Sequence, residues 1–367
     1  AQQKKIDNCC RTVYTDGVKK DMRLNTNIRW RAASGSLWAT VAVLCAVFIA
    51  TSCHRRPLDE PDYRTSVRVA VNTDGIRNVT CDIYNDRIPV QKIEPEVMHV
   101  IFFDAATGKY VTEDFLQNVS TAADGRRVVS GEVYLGPGSY RMLAYDFGTE
   151  ETKLRDYHDY AKACAFTDPA PSNVLTRFST KGGEEPNILM EPEHLEVASR
   201  ELEVIPYHDD PWTISADAHS VVESWYVQVR VDGIEWVNSA QAVLSGMAGA
   251  SLIATDTKVN EPEASVWFTL KKSEDNGEAV VCAVFNTFGR IPNASGNLQI
   301  TFDVSTVDKK TIRKTFDITD LFQTENALRH NWLLIDETIK VEPPKSSGGA
   351  FDPKIDDWDE EHRDIDI

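Results

Sequence analysis

Past Ser66, apolar residues recur at every second position over short runs. Val67, Val69 and Val71 alternate with Arg68, Ala70 and Asn72, which predicts a half-buried strand. Residues 98–103 form a fully apolar strand candidate around His99. The turn Asp104-Ala-Ala-Thr-Gly-Lys109 joins it to 110–115, and 131–135, Gly136-Pro-Gly138 and 140–145 repeat the strand–turn–strand grammar. Between 147 and 187 the pattern weakens. Residues 154–164 fit two or three helical turns, and the rest reads as a long surface loop. Strand character resumes at 188–190 and 202–205. Loop composition returns at Tyr207-His-Asp-Asp-Pro-Trp212, which places the expected domain boundary in 206–219.

The second half repeats the pattern. Trp225, Val227, Val229 and Val231 alternate with Tyr226, Gln228 and Arg230 before the turn Asp232-Gly233. The small-residue segment 242–250 predicts a strand closely approached by another backbone. Residues 266–270, 279–285, 298–304 and 312–318 are strands, and 331–335 with Ile339 and Val341 closes the set. Neither half carries a long amphipathic helix. The expected fold is all-β, with one sandwich over 62–205, a linker at 206–219 and a second sandwich over 220–341.

The ends differ in kind. Residues 37–50 are a fourteen-residue apolar run, preceded by Arg23, Arg29 and Arg31 and followed by Thr51-Ser52-Cys53. A basic n-region, a short apolar core and small residues at the cut mark a secretory signal over 22–52. The run falls short of the ~20 apolar residues that span a bilayer. Residues 1–21 are expected to be upstream translated sequence, with Met22 as the start. A cysteine directly after the small residues resembles a bacterial lipobox, so Cys53 is expected to be lipidated and to head a tether over 53–61. At the other end, 342–349 is a linker by composition. Residues 351–367 hold eight acids and two bases, yet keep Phe351, Ile355, Trp358, Ile365 and Ile367. Apolar residues alternating with acids suit an extended strand that pairs with something.

The chain has 39 basic and 57 acidic side chains. Cutting before Cys53 removes eight bases and three acids, leaving 315 residues and a net charge of −23. That sign repels phosphate and argues against a nucleic-acid partner. Of the seven cysteines, Cys81, Cys164 and Cys282 would remain beside Cys53, with no CxxC pair. Cys282 reads as a small core residue, and a Cys81–Cys164 bridge is open on spacing alone.

No catalytic constellation, phosphate loop or dinucleotide fingerprint is present, so no catalytic residue, cofactor or metal is assigned and the chain is not expected to be an enzyme. His208-Asp209-Asp210 is the one local cluster of metal-ligand types, in a loop. His99 reads as a satisfied core histidine rather than a base. Trp212, Trp236 and Trp358 lie outside clear strand interiors and support a rival reading, a surface glycan-binding lipoprotein of a nutrient-uptake system.

The chain resembles the Bacteroidales fimbrillin-like lipoproteins. The resemblance is carried by Ser52-Cys-His-Arg-Arg-Pro-Leu58, Glu96-Val-Met-His-Val-Ile-Phe-Phe-Asp104 with Thr107-Gly-Lys109, and Gly136-Pro-Gly-Ser-Tyr140. Leu244-Ser-Gly-Met-Ala-Gly249 and Gly348-Gly-Ala-Phe351 through Asp356-Asp-Trp358 complete it, covering 53–367. It implies two transthyretin-like sandwiches and a fimbrial anchor or accessory subunit, assembled with other fimbrial subunits by strand exchange. It also implies a lipid anchor in the outer membrane, facing the cell surface. Stalk subunits of this kind lose their first strand to an arginine-specific protease, and Arg64 and Arg77 flank the first strand here. His54-Arg55-Arg56 departs from the acidic run expected after a surface-export cysteine. Metabolic labelling with a fatty-acid analogue is expected to mark the wild type and spare Cys53→Ala, and equal labelling of both would remove the lipid anchor.

Overall fold

The alternating valines of the first strand face a core that two sheets share. The computed structural model describes residues 63–344, apart from 75, 89–92, 148, 180–186, 260–262 and 292–297. The first sheet contains β1 (Thr65–Asn72), β4 (Asn118–Thr121), β5 (Arg127–Leu135) and β11 (Trp212–Asp217), in the order β11-β1-β5-β4. The second contains β2 (Met98–Asp104), β3 (Tyr110–Leu116), β6 (Gly138–Asp146), β10 (Glu196–Ile205) and β12 (His219–Ser220), in the order β12-β10-β6-β2-β3. Val67, Val69 and Val71 pack against Met98, Val100, Phe102, Met142 and Ala144 between the two sheets. The opposite parity of the second sheet, Ile101, Phe103, Leu143 and Tyr145, is buried as well. The strand expected from the apolar run at 98–103 is thus covered on both faces.

The second half is one sheet folded around its own core. Its strands are β13 (Glu223–Asp232), β14 (Val237–Met247), β17 (Ala264–Asp275), β18 (Glu278–Thr287), β19 (Gln299–Thr306), β20 (Thr311–Asp317) and β21 (Trp332–Lys340), in the order β20-β19-β14-β17-β18-β13-β21. Strand β17 does the folding: residues 264–270 pair with β14, and 271–275 pair with β18. Trp225, Val227, Val229 and Val231 point into the enclosed core with Phe268, Phe285, Phe302 and Leu333. In the small-residue segment, Gly246 adopts φ +78° at a register shift of β14, and a Cβ there would collide with the Leu298 side chain. The close approach is real, but a side chain makes it.

Both halves close in the same way. The first strand of each pairs in parallel with its last long strand, β1 with β11 and β13 with β21, and antiparallel on its other side. The all-β reading and its repetition in the two halves are borne out. The stretch 206–219 departs from a linker: it holds β11, whose Ile214 and Ala216 are buried beside Val69 and Val71.

The weakly patterned region 147–190 joins the halves. β7 (Lys153–Arg155) and β8 (Cys164–Phe166) form a four-stranded sheet with β15 (Ala250–Leu252) and β16 (Thr257–Val259), ordered β16-β15-β8-β7. Residues 154–164 are therefore strand, turn and strand rather than helix. Asp156 takes φ +53°, which a helix forbids, and Tyr160 is drawn edge-on against Phe103 at 5.4 Å. The short helix α1 (Ser172–Phe178) comes later, before β9 (Ile188–Met190), which pairs in parallel with β17. A second short helix, α2 (Glu325–His330), is capped by the Thr324 hydroxyl, which accepts from the Ala327 amide, and leads into β21.

A strap between β1 and β2 also crosses to the second half. Cys81 and Ile88 bury against Tyr226, with Tyr84, Trp332 and Leu334 around them. Asp275 anchors it, accepting from Gln228 Nε2 at 3.0 Å, Tyr84 Oη at 2.9 Å and Asn85 Nδ2 at 2.8 Å. These donors, Gln228 first, hold the Asp275 carboxyl below the usual carboxylate range. From Tyr63 onward the chain clusters as one compact unit. We therefore expect one cooperative thermal transition, and a cost of ~3–5 kcal/mol for Phe288→Ala, buried where the halves meet. Two resolved calorimetric transitions would contradict this coupling.

Candidate functional site

The site that matters for main-chain pairing is β1 and its two neighbours. Its odd residues fill the core, so its register is fixed: a slip of one position would turn Val67, Val69 and Val71 outward. β11 lies on one side and β5 on the other, so β1 is an interior strand with both main-chain edges engaged. Its outer face is polar. Arg68, Ala70 and Asn72, with Thr213, Ser215 and Ser130, line a cavity of about 520 Å³. Asn72 Nδ2 donates to Asp217 Oδ1 at 2.8 Å, and the Arg200 guanidinium donates to the Ser215 carbonyl, tying β10 to the outermost strand β11.

Further edge strands carry little apolar cover. All four residues of β4 are exposed, and β20 is exposed or half-buried along its whole length. Strand β3 differs, because Tyr110, Val111 and Phe115 are exposed along it. Beside it opens a cleft of about 680 Å³ lined by His99, Glu113, Phe115, Tyr145, Phe147 and Tyr157 among others. His99 stacks on Phe115 with centroids 4.7 Å apart, and its Nδ1 lies 2.6 Å from Tyr145 Oη. Its Nε2 lies 3.3 Å from Glu113 Oε2 without hydrogen-bonding geometry. Burial outweighs the pull of Glu113, so the imidazole pKa is lowered. His99 is a core histidine with one nitrogen satisfied.

The remaining sequence candidates scatter. Arg64 and Arg77 are both exposed, one just before β1 and the other in the strap. His208 Nδ1 accepts from the Asp210 amide at 3.1 Å, which closes the loop on itself. Among the described residues, no group of three or more His, Cys, Asp or Glu is placed to hold a metal ion. Trp212 sits on β11, whereas Trp236 packs against the second core, so the two do not form one platform. Cys81, Cys164 and Cys282 are free thiols. Cys81 packs in the strap and Cys164 lies on β8, with Cys282 packed against the strap cluster. Cys53, Trp358 and the tail 345–367 lie outside the described residues.

Pattern reading passed over a buried acidic group at the junction of the halves. Glu196 opens β10, and its amide donates to Asp146 Oδ1 at 3.0 Å, while His194 Nε2 lies 3.3 Å from Asp146 Oδ2. The Glu196 carboxyl is buried and makes no hydrogen bond. Burial first, and the Asp146 charge second, push its pKa up to about 8. Glu191, which accepts from the Asn286 amide, is raised by burial to about 7.

Comparison with known proteins places this architecture. A family model described as a domain of unknown function, DUF5119, matches residues 73–269. The chain belongs to that family. It is 21% identical over 351 residues to Fim4B of Bacteroides ovatus, a protein named for a fimbrium-anchoring role, covering 87% of this chain and 94% of that one. A crystal structure of a Bacteroides ovatus protein assigned as an adhesin superposes with TM-score 0.56 at 20% identity, over 80% of this chain and 98% of that one. The fimbrillin-like resemblance in the sequence is borne out.

The acids at the junction give this DUF5119 protein a pH dependence of definite sign. Glu196 binds a proton in the folded state that the unfolded chain releases near its ordinary value of 4.5. Its contribution is therefore fully present below about pH 4.5 and is lost as pH rises through about 8, and Glu191 acts in the same sense. Glu196→Gln is expected to flatten this fall and to raise stability at pH 9 by a few kcal/mol, at ~1.4 kcal/mol per pKa unit. Denaturant unfolding at pH 5, 7 and 9 measures it, and an unchanged slope would refute the assignment.

Proposed function

We propose that this chain is a cell-envelope fimbrial anchor or accessory subunit, held in the outer membrane by lipid on Cys53 and joined to its neighbours by strand complementation. The observation that carries the reading is the position of β1. In assembly by strand exchange, a subunit accepts a neighbour's strand where it lacks one of its own. Here the place between β11 and β5 is filled by the chain's own first strand, which begins only twelve positions after Cys53. A subunit that keeps this strand has nothing to accept there and suits the end of a filament. The likeness to Fim4B, which spans 87% of this chain and 94% of that one, supports the same role.

Strand donation falls to the alternating acidic tail, 351–367, and an uncovered edge such as β4 or β20 offers a place for a neighbour's strand to add. Residues 54–367, mixed with fimbrial subunits encoded beside the gene, are expected to form a complex that chemical crosslinking captures. Deletion of 343–367 should abolish it if the tail is the donor. No association with any neighbouring subunit, together with unchanged pili in a deletion strain, would overturn the proposal.

A further inference from the structure

One pole of the first sandwich collects exposed apolar side chains. Tyr63, Tyr134, Leu202, Val204, Tyr207 and Trp212 are between 37% and 61% exposed. The strand registers bring them to the same end. Thr65 at the start of β1 pairs with Leu135 at the end of β5, Val67 pairs with Trp212, and Ile205 at the end of β10 pairs with Gly138. Thr65 Oγ1 donates to the Pro206 carbonyl at 2.7 Å and accepts from the His208 amide at 3.0 Å, fixing the loop beside Tyr63. Tyr63 and Tyr207 meet edge-on at 5.9 Å. Tyr134 stands on the outer face of one sheet and Leu202 and Val204 on the outer face of the other, so the apolar groups rim the pole.

The second half packs on the outer face of the second sheet, and the chain leaves for it from the opposite end. β10 pairs with β12 at Glu196 and Val197, its first residues, whereas the pole holds its last. Ten residues of strand separate these ends, ~33 Å at the usual rise. The chain enters the described fold at this pole, at Tyr63, ten positions after Cys53. Ten residues reach at most ~35 Å. A lipid on Cys53 would therefore attach to the fold at this pole and keep it within ~35 Å of the bilayer.

We infer that the rim of Tyr63, Tyr134, Leu202, Val204, Tyr207 and Trp212 is a docking surface for the headgroup layer of a membrane, setting the subunit upright on its lipid. The inference rests on the lipid anchor proposed for Cys53. Tyrosine and tryptophan present an apolar body and a polar tip, the combination that settles at a membrane–water interface. Charge selects the lipid. Glu201, Glu203, Asp209 and Asp210 outnumber Arg64 and Arg200 around the rim, so a zwitterionic headgroup layer is accepted and an anionic one repelled.

A chelating tether tests the surface without relying on native lipidation. Residues 54–367 with an N-terminal histidine tag are bound to phosphatidylcholine–phosphatidylethanolamine vesicles carrying a nickel-chelating lipid. In a Cys282→Ala background, an environment-sensitive dye is placed at Tyr207→Cys or, as a control on the second half, at Asp336→Cys. Dye emission is expected to rise about twofold at 207 on binding and to stay unchanged at 336. Tyr63→Ser, Leu202→Ser and Val204→Ser together should remove at least half of that rise while tethering persists. Replacing part of the phosphatidylcholine by phosphatidylglycerol should reduce it. No rise at 207, an equal rise at both positions, or a rise with protein concentration in the absence of vesicles, which would indicate a second copy of the chain, overturns the inference. Loss of fatty-acid labelling at Cys53 would remove the native tether, but would leave this measurement unaffected.

Discussion

A β-sheet has two faces and two edges, and every apolar face must be covered. In this protein neither half covers itself. The outer face of the first half's second sheet, with Ile101, Phe103, Leu143 and Tyr145, is covered partly by Ile253, Phe288 and Ile291 of the second half. The outer face of β13, β18 and β21 is covered by the strap that leaves β1, through Cys81, Tyr84 and Ile88. Each half lends a segment to the other, so burial that a single sandwich would have to supply internally is shared. The joint between halves is thus part of two cores and a four-stranded sheet, with buried apolar area as its main source of stability.

Sharing also explains where polar groups are placed. The strap has to lie across a face that carries Gln228 and Tyr226, and each polar atom there needs a partner once water leaves. Asp275 meets this need by gathering donors from Tyr84, Asn85 and Gln228. At the other joint, Glu196 has no such donor, and its carboxyl tends toward the neutral form instead. The same burial thus gives two outcomes, a carboxylate held charged by donors and a carboxylic acid held neutral by their absence.

Where burial falls on one face only, the sequence is legible. Val67 to Val71 and Trp225 to Val231 show their strands by alternation, and the unbroken run at 98–103 shows a strand covered on both sides. Legibility fails where segments are lent. β7, β8 and β9 are three residues each, too short for a period to appear, and β8 and β9 find partners in the other half. Tyr226, Gln228 and Arg230 read as a solvated face because nothing local announces that the strap will cover part of it. Trp212, Ile214 and Ala216 do alternate, but the Pro and Asp residues just before them give the stretch a loop composition. Of the candidate site, the first strand was visible in the sequence. Its interior position was not, because parallel pairing with β11 joins residues 145 positions apart.

That parallel pairing has a mechanical consequence. In the proposed arrangement the chain is held near Tyr63, while the described fold ends beyond β21, where Lys340 pairs with Asp232 at the end of β13 farthest from the junction. Tension between these points enters along β1 and leaves along β21. The hydrogen bonds of a ladder lie across the strands, so a pull along a strand loads many of them together rather than one after another. β1 is gripped on both sides, by six residues of β11 and eight of β5. Among the described residues β21 is an edge strand paired with β13 alone, but Leu333, Ile335 and Ile339 are buried in the second core. Withdrawing β1 would expose three buried valines and two unpaired strand edges at once. The first strand is therefore both the attachment of the fold to its tether and the element whose loss would open a groove.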